Sequence, residues 1–223
     1  MTLVIFLIIG IALMCEIIAF QLKKYFIPMW KGIPIAVSLA ISGVFGSRLW
    51  FFIENLSFDG RSFFGAIAFS PLVFLLLAKL LKIPYKEILD FIPAAGCITL
   101  ALVKIQCLRD GCCEGRILYI NDDHIYVRFP SQIVEMIDFL LLAVVLLIAF
   151  YKFKKRGQVF PLFLILYGVT RFVLNSFRGE LVTYALGLPA GHCWSLISII
   201  IGTIWLVVAY QKNKKAYQPS DGE

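Results

Sequence analysis

The sequence predicts an all-α integral membrane protein with seven transmembrane helices, the amino terminus outside and the carboxyl terminus cytoplasmic. Three observations lead there. Of 223 residues, 61% are hydrophobic and mean hydropathy is +0.88, above what a soluble domain of this length carries. The apolar residues fall into seven stretches near the roughly 20-residue length that crosses a bilayer. The basic residues between those stretches alternate in kind and number, as orientation in a membrane requires.

The stretches lie near 2–20, 33–53, 63–82, 88–104, 132–151, 158–176 and 189–210. The first reads as a permanent span: it has no basic leader, and Met14-Cys15-Glu16 offers no small-residue cleavage site. Cys15 follows Ala-Leu-Met and is a poor lipid-attachment cysteine. Pro28, Pro34, Pro84, Pro130, Pro161 and Pro189 fall at or near span starts, where a missing N–H is tolerated. Trp30, Trp50 and Trp194 lie near expected interfaces. Residues 1–210 read as one seven-helix domain with an outer loop at about 105–131, and 211–223 as a polar cytoplasmic tail.

Orientation follows from the lysines. Lys23, Lys24 and Lys31 follow span one; Lys79, Lys82 and Lys86 follow span three. Lys152, Lys154, Lys155 and Arg156 follow span five, and Lys212, Lys214 and Lys215 follow span seven. This alternate set marks the cytoplasmic side and absorbs most of the net charge of +7, so nucleic acid is not an expected partner. The outer set is Arg48, Arg61, Lys104, Arg109, Arg116, Arg128, Arg171 and Arg178, nearly all arginine. Lysine suffices to anchor a chain to an anionic leaflet. Arginine is preferred where a planar fork must grip phosphate. The blander account pairs these arginines with Glu54, Asp110, Glu114 and Glu135.

The most informative stretch is 157–178. Continued as one helix, it puts Tyr167, Arg171, Asn175 and Arg178 at i, i+4, i+8 and i+11 on one face, with Phe163, Leu166, Phe172 and Val173 opposite. An arginine at hydrocarbon depth costs about 2.5–3.5 kcal/mol even on the lenient insertion scale. Two within two turns imply an anionic head group held inside a bundle.

Four further segments are candidates. Ser62–Ala66 is rich in small residues and permits close helix packing. The segment 104–115 leaves span four and opens the outer loop; Asp110-Gly111 and Glu114-Gly115 are turn chemistry. Its Cys107, Cys112 and Cys113 lack paired zinc-site spacing, so no metal and no cofactor is expected. A disulfide to Cys193 is open, with structural thiols favoured. In 128–138, Gln132, Glu135 and Asp138 recur every third residue at the start of span five; carboxylates there complement the helix dipole, and Glu135 and Asp138 sit deeper than capping needs. His124 reads as a solvated loop residue. Gly191-His192-Cys193-Trp194-Ser195 opens span seven, either lining the same outer cavity or simply starting a helix.

The order of these segments resembles the prolipoprotein diacylglyceryl transferase family, from about Gly46 to Gly202. Ser62–Ala66 stands against the family's F-H-G-G segment and Lys104–Gly115 against its G-R-x-G-(N/C)-F-x-x-G signature. Arg128–Glu135 stands against R-H-P-(T/S)-Q-L-Y-E. Tyr167-Gly168, Arg171 and Arg178 match Y-G-x-x-R-x-x-x-E-x-x-R, and Gly191–Ser195 resembles G-Q-x-x-S. The chain departs from the pattern at five places. The family histidine falls at Phe64, its signature arginine at Lys104 and its span-six glutamate at Asn175. The histidine beside the arginine of the third segment becomes Phe129, and the glutamine before span seven becomes His192.

The resemblance implies transfer of diacylglyceryl from phosphatidylglycerol to the cysteine thiol of a prolipoprotein signal peptide, in a bacterial plasma (inner) membrane. It implies Arg171, Lys104, Tyr167 and Glu135 as catalytic. Arg178, Gln132, Asn175, Arg128, Arg48, Asp110, Gly111 and His192 would bind substrate. The substitutions keep two rival readings open: an impaired paralogue that binds lipid or signal peptide, and a small anion or lipid transporter.

Overall fold

A computed structural model describes residues 2–57, 63–111, 113–120, 126–153, 156–179 and 189–215. Arg61, Ser62, Cys112 and His124 lie outside them. Among the described residues there are seven α-helices and one short hairpin: α1 (Thr2–Lys24), α2 (Gly32–Asn55), α3 (Phe63–Leu81), α4 (Tyr85–Asp110), β1 (Ile117–Ile120), β2 (Tyr126–Arg128), α5 (Ser131–Lys152), α6 (Val159–Asn175) and α7 (Ala190–Lys215). By length and composition Met29–Asn55, α4, α5 and Ala190–Ala209 are able to cross a membrane; α6 and Ala68–Leu81 are shorter apolar helices. The class is all-α membrane. The chain divides into two compact units, Met1–Gln106 and Cys107–Glu223.

In the first unit, α1 ends on Lys23 and Lys24, which complement the negative end of the helix dipole. Phe26 takes φ 57° and Ile27 N–H returns to the Leu22 carbonyl at 3.1 Å, closing the helix. Lys82 ends α3 in the same way, with φ 51° and Ile83 N–H on the Ala78 carbonyl at 3.1 Å. Helices α2 and α3 meet backbone to backbone: a Cβ on Gly46 would lie 2.8 Å from the Gly65 carbonyl oxygen. The close packing expected of Ser62–Ala66 therefore falls at Gly65. Ser42 and Ser70 hydroxyls join across the same seam at 3.1 Å. Tyr85 at the start of α4 donates to the Pro71 carbonyl of α3 at 2.8 Å.

In the second unit, α6 and α7 pack through glycine. A Cβ on Gly168 would lie 2.7 Å from Ile199 Cγ1 and 2.8 Å from the Ser195 carbonyl oxygen; one on Gly202 would meet the Pro161 carbonyl oxygen at 2.8 Å. Phe160 and Trp205 meet between them, ring centroids 5.7 Å apart. Helix α5 packs on α6 and is buried along Gln132, Glu135, Phe139, Leu142, Leu146 and Phe150.

Three expectations are corrected. Ile105–Asp110 is helix, not loop: α4 continues to Asp110 and stops where Gly111 takes φ 63°. The outer segment is not structureless, because β1 and β2 pair antiparallel with Ile117 opposite Arg128. And α7 runs to Lys215, so the first residues assigned to the tail are helical. Backbone hydrogen bonding does not require apolar side chains, so α1, α4 and α7 outlast the hydropathy that announced them.

Candidate functional site

The site grows from the start of α5. Pro130 precedes the helix and lacks the N–H that would be orphaned there. Ser131, Gln132 and Glu135 follow, all buried. The Ser131 hydroxyl donates to the Cys113 carbonyl at 2.6 Å, tying this helix start to the segment after α4.

Glu135 receives two arginines. Arg171 of α6 places Nη1 3.1 Å from Glu135 Oε1, with side chains only 13% and 3% exposed. Arg178 places Nε 3.8 Å from the same oxygen. Arg178 is not on the helical stripe predicted for it. Helix α6 ends at Asn175 and the chain turns through Ser176, so the i+11 spacing does not apply. Arg178 instead sits in a single β-bridge opposite Gly115. That bridge is stitched by Arg116 N–H to the Phe177 carbonyl at 2.9 Å and by Gly179 N–H to the Glu114 carbonyl at 3.3 Å. The Phe129 and Phe177 rings stack beneath it, 4.8 Å apart. Gly115 has no room for a side chain: a Cβ would stand 2.7 Å from Phe129 Cβ.

The rest of the stripe follows. Tyr167 is 2% exposed and its ring lies between Phe139 and Phe163, at 6.3 and 5.6 Å. Asn175, one turn beyond Arg171, is 3% exposed, and its Nδ2 lies 2.9 Å from His192 Nδ1 at the start of α7. His192 Nε2 lies 3.1 Å from the Ser176 hydroxyl. Ser176 was not singled out from the sequence. Its signal would have been the end of α6, which no glycine or proline marks.

The structure thus gathers Gln132, Glu135, Tyr167, Arg171, Asn175, Arg178 and His192 on α5, α6, the turn after α6 and the start of α7. Arg128 stands apart from the Glu135 pair. Its Nε pairs with Glu114 at 3.1 Å, both side chains about half exposed, which is the blander ion-pair account for that residue. Asp110 and Gly111 are exposed at the stop of α4. Arg48 on α2 is exposed and Lys104 on α4 is half-buried; both belong to the first unit. No disulfide joins Cys107, Cys113 and Cys193.

Two guanidinium groups converge on the Glu135 carboxylate, and Asp138, one turn further along α5, also acts electrostatically on Arg171. Arg171 Nε is shut off from solvent and has no hydrogen-bond partner among the described residues. A buried charged donor without an acceptor is costly, and an anionic oxygen is what satisfies it.

Fold and site together define a polytopic helical membrane protein with a partly buried cluster of two arginines on one glutamate. The sequence profile of the prolipoprotein diacylglyceryl transferases matches residues 3–208, and the chain belongs to that family. It is 28% identical over 191 residues to the phosphatidylglycerol–prolipoprotein diacylglyceryl transferase of Clostridium tetani, covering 75% of this chain and 76% of that one. It is 31% identical over 136 residues to the protein of that name from Polaromonas naphthalenivorans, covering 55% and 50%. A third of that name, from Dehalococcoides mccartyi, is 26% identical over 172 residues, covering 72% and 66%.

Proposed function

We propose that the protein transfers diacylglyceryl from phosphatidylglycerol to the lipobox cysteine thiol of a prolipoprotein signal peptide, at the outer side of the bacterial plasma membrane. The observation that carries this reading is the pair Arg171 and Arg178 converging on Glu135, with Arg171 Nε unengaged by protein. A phosphodiester presents anionic oxygens, which the unused N–H donors of the two guanidinium groups complement. As the carbon–oxygen bond to the diacylglyceryl unit breaks, charge builds on the departing glycerol phosphate, and a guanidinium already aimed there stabilises it. Glu135 orients both arginines. Tyr167, Gln132 and Asn175 hold the head group by hydrogen bonds, while Arg128 adds positive potential for an anionic lipid. The thiolate is the nucleophile, so no enzyme cysteine need be modified.

In this reading all seven helices span the membrane. Helix α6, at 17 residues, is about 26 Å long, slightly short of an average hydrocarbon core. The alternating lysines set the amino terminus outside and the carboxyl terminus in the cytoplasm.

The test is purified protein in phosphatidylglycerol vesicles with a fluorescent lipobox peptide. The peptide is expected to shift in mobility by the mass of a diacylglyceryl group. Arg171→Ala is expected to abolish the shift and Lys79→Ala, an exposed lysine, to leave it. Peptide capture without a shift by the parent protein would favour the impaired paralogue, and an unaltered Arg171→Ala would refute the site.

A further inference from the structure

The transferase reading leaves the thiol's proton without an acceptor, since Phe64 stands where the resembling family has histidine. Two other departures from that pattern, Asn175 and His192, prove to be partners in space, Asn175 Nδ2 lying 2.9 Å from His192 Nδ1. On the far side of the ring, Nε2 lies 3.1 Å from the Ser176 hydroxyl. Ser176 is exposed, so Nε2 faces an accessible edge, whereas Asn175 is 3% exposed. A Cβ on Gly191 would stand 2.5 Å from Asn175 Oδ1 and 2.7 Å from its Nδ2, so the amide fits in either orientation only because residue 191 is glycine. The Phe172 ring meets the imidazole edge-on, centroids 4.7 Å apart and planes at 88°. The imidazole is therefore held by Asn175, Ser176 and Phe172, with Nε2 on the side of the exposed Ser176 hydroxyl.

We propose that His192 accepts the proton of the incoming lipobox thiol, with Asn175 as the positioning residue that selects its tautomer; this rests on the transferase reading above. Amide oxygen and nitrogen are nearly isosteric and exchange by a half-turn. With Asn175 Oδ1 toward the ring, Nδ1–H donates to it and Nε2 carries the lone pair, which accepts from the Ser176 hydroxyl until the incoming thiol displaces it. A base oriented by a neighbouring amide is an arrangement that other thiol enzymes use. Asn175 lies one turn beyond Arg171 on the same face, about 6 Å along the axis, so proton acceptor and phosphate grip sit side by side. The thiol proton passes to Nε2 and the thiolate sulfur bonds to the diacylglyceryl carbon. The carbon–oxygen bond to phosphate breaks, glycerol phosphate leaves with that electron pair, and the imidazolium returns its proton to the leaving group or to water.

The test compares lipobox peptides bearing cysteine and selenocysteine, in the full-length protein with phosphatidylglycerol vesicles. A selenol ionises far more readily than a thiol and has little need of a base. His192→Gln is expected to lower kcat/KM about a hundredfold for the thiol peptide and hardly at all for the selenol peptide. His192→Asn is read in the same way should the first variant fold poorly. Equal losses on both peptides would show that His192 only ties α7 to the end of α6, and no loss on either would also overturn the proposal. A parent protein that modifies neither peptide would instead overturn the transferase reading itself.

Discussion

Arg171 carries five N–H donors, and one carboxylate oxygen 3.1 Å from Nη1 engages only part of them. The remainder is why Arg171→Lys is not a mild change: it keeps the charge but loses the fork. Transfer is expected to fall at least about tenfold, or about 1.4 kcal/mol in transition-state binding, measured as kcat/KM with the lipobox peptide. Glu135 presents the opposite case. Removing one partner of a buried pair costs about 3–5 kcal/mol because the other charge is stranded, and Arg171 is not fully buried, so the lower half of that range is expected. Thermal unfolding of Glu135→Gln in detergent should show a clear drop, accompanied by loss of transfer; an unchanged melting profile would mean that the pair is not formed. Arg171, Tyr167 and Asn175 were legible as a stripe because they lie within the helix. Arg178 was legible as an arginine but not in its position, since counting i+11 assumes a helix that in fact stops at Asn175.

At the scale of elements, glycine decides how closely backbones approach. Gly168→Leu would drive a side chain into Ile199 and the Ser195 carbonyl, and overpacking of this kind costs about 1–3 kcal/mol. Its unfolding temperature is expected to fall, while Val169→Leu, at an exposed neighbouring position, leaves it unchanged. Gly115→Ala tests a different link. It presses on Phe129 and breaks the bridge that carries Arg178, so transfer should fall more than stability does; equal effects would mean that the bridge does not position the arginine. Helix interiors were readable from hydropathy, whereas ends were not. Ile105–Asp110 reads as loop because its hydropathy falls, yet helix α4 runs on to Asp110. In the hairpin, Ile117, Tyr119 and Ile120 are strand-forming residues, but strands of four and three residues are too short to stand out in the sequence pattern.

For the whole molecule, composition settles the class, and the division of lysine from arginine proposes the orientation. A single cysteine replacing Lys79 should react with a membrane-impermeant maleimide only after the cells are opened, and one replacing Arg109 should react in intact cells. The reverse pattern would invert the topology and put the arginine cluster on the wrong face. The central claim is that Arg171 and Arg178 grasp a lipid phosphodiester, and binding tests it without the complication of turnover. Native mass spectrometry of the purified protein would compare phosphatidylglycerol with diacylglycerol, which lacks the phosphate, in the parent and in Arg171→Ala/Arg178→Ala. The account predicts that the double variant binds phosphatidylglycerol at least about tenfold more weakly, about 1.4 kcal/mol, with diacylglycerol binding unaltered. Equal phosphatidylglycerol affinity in the two proteins would contradict it.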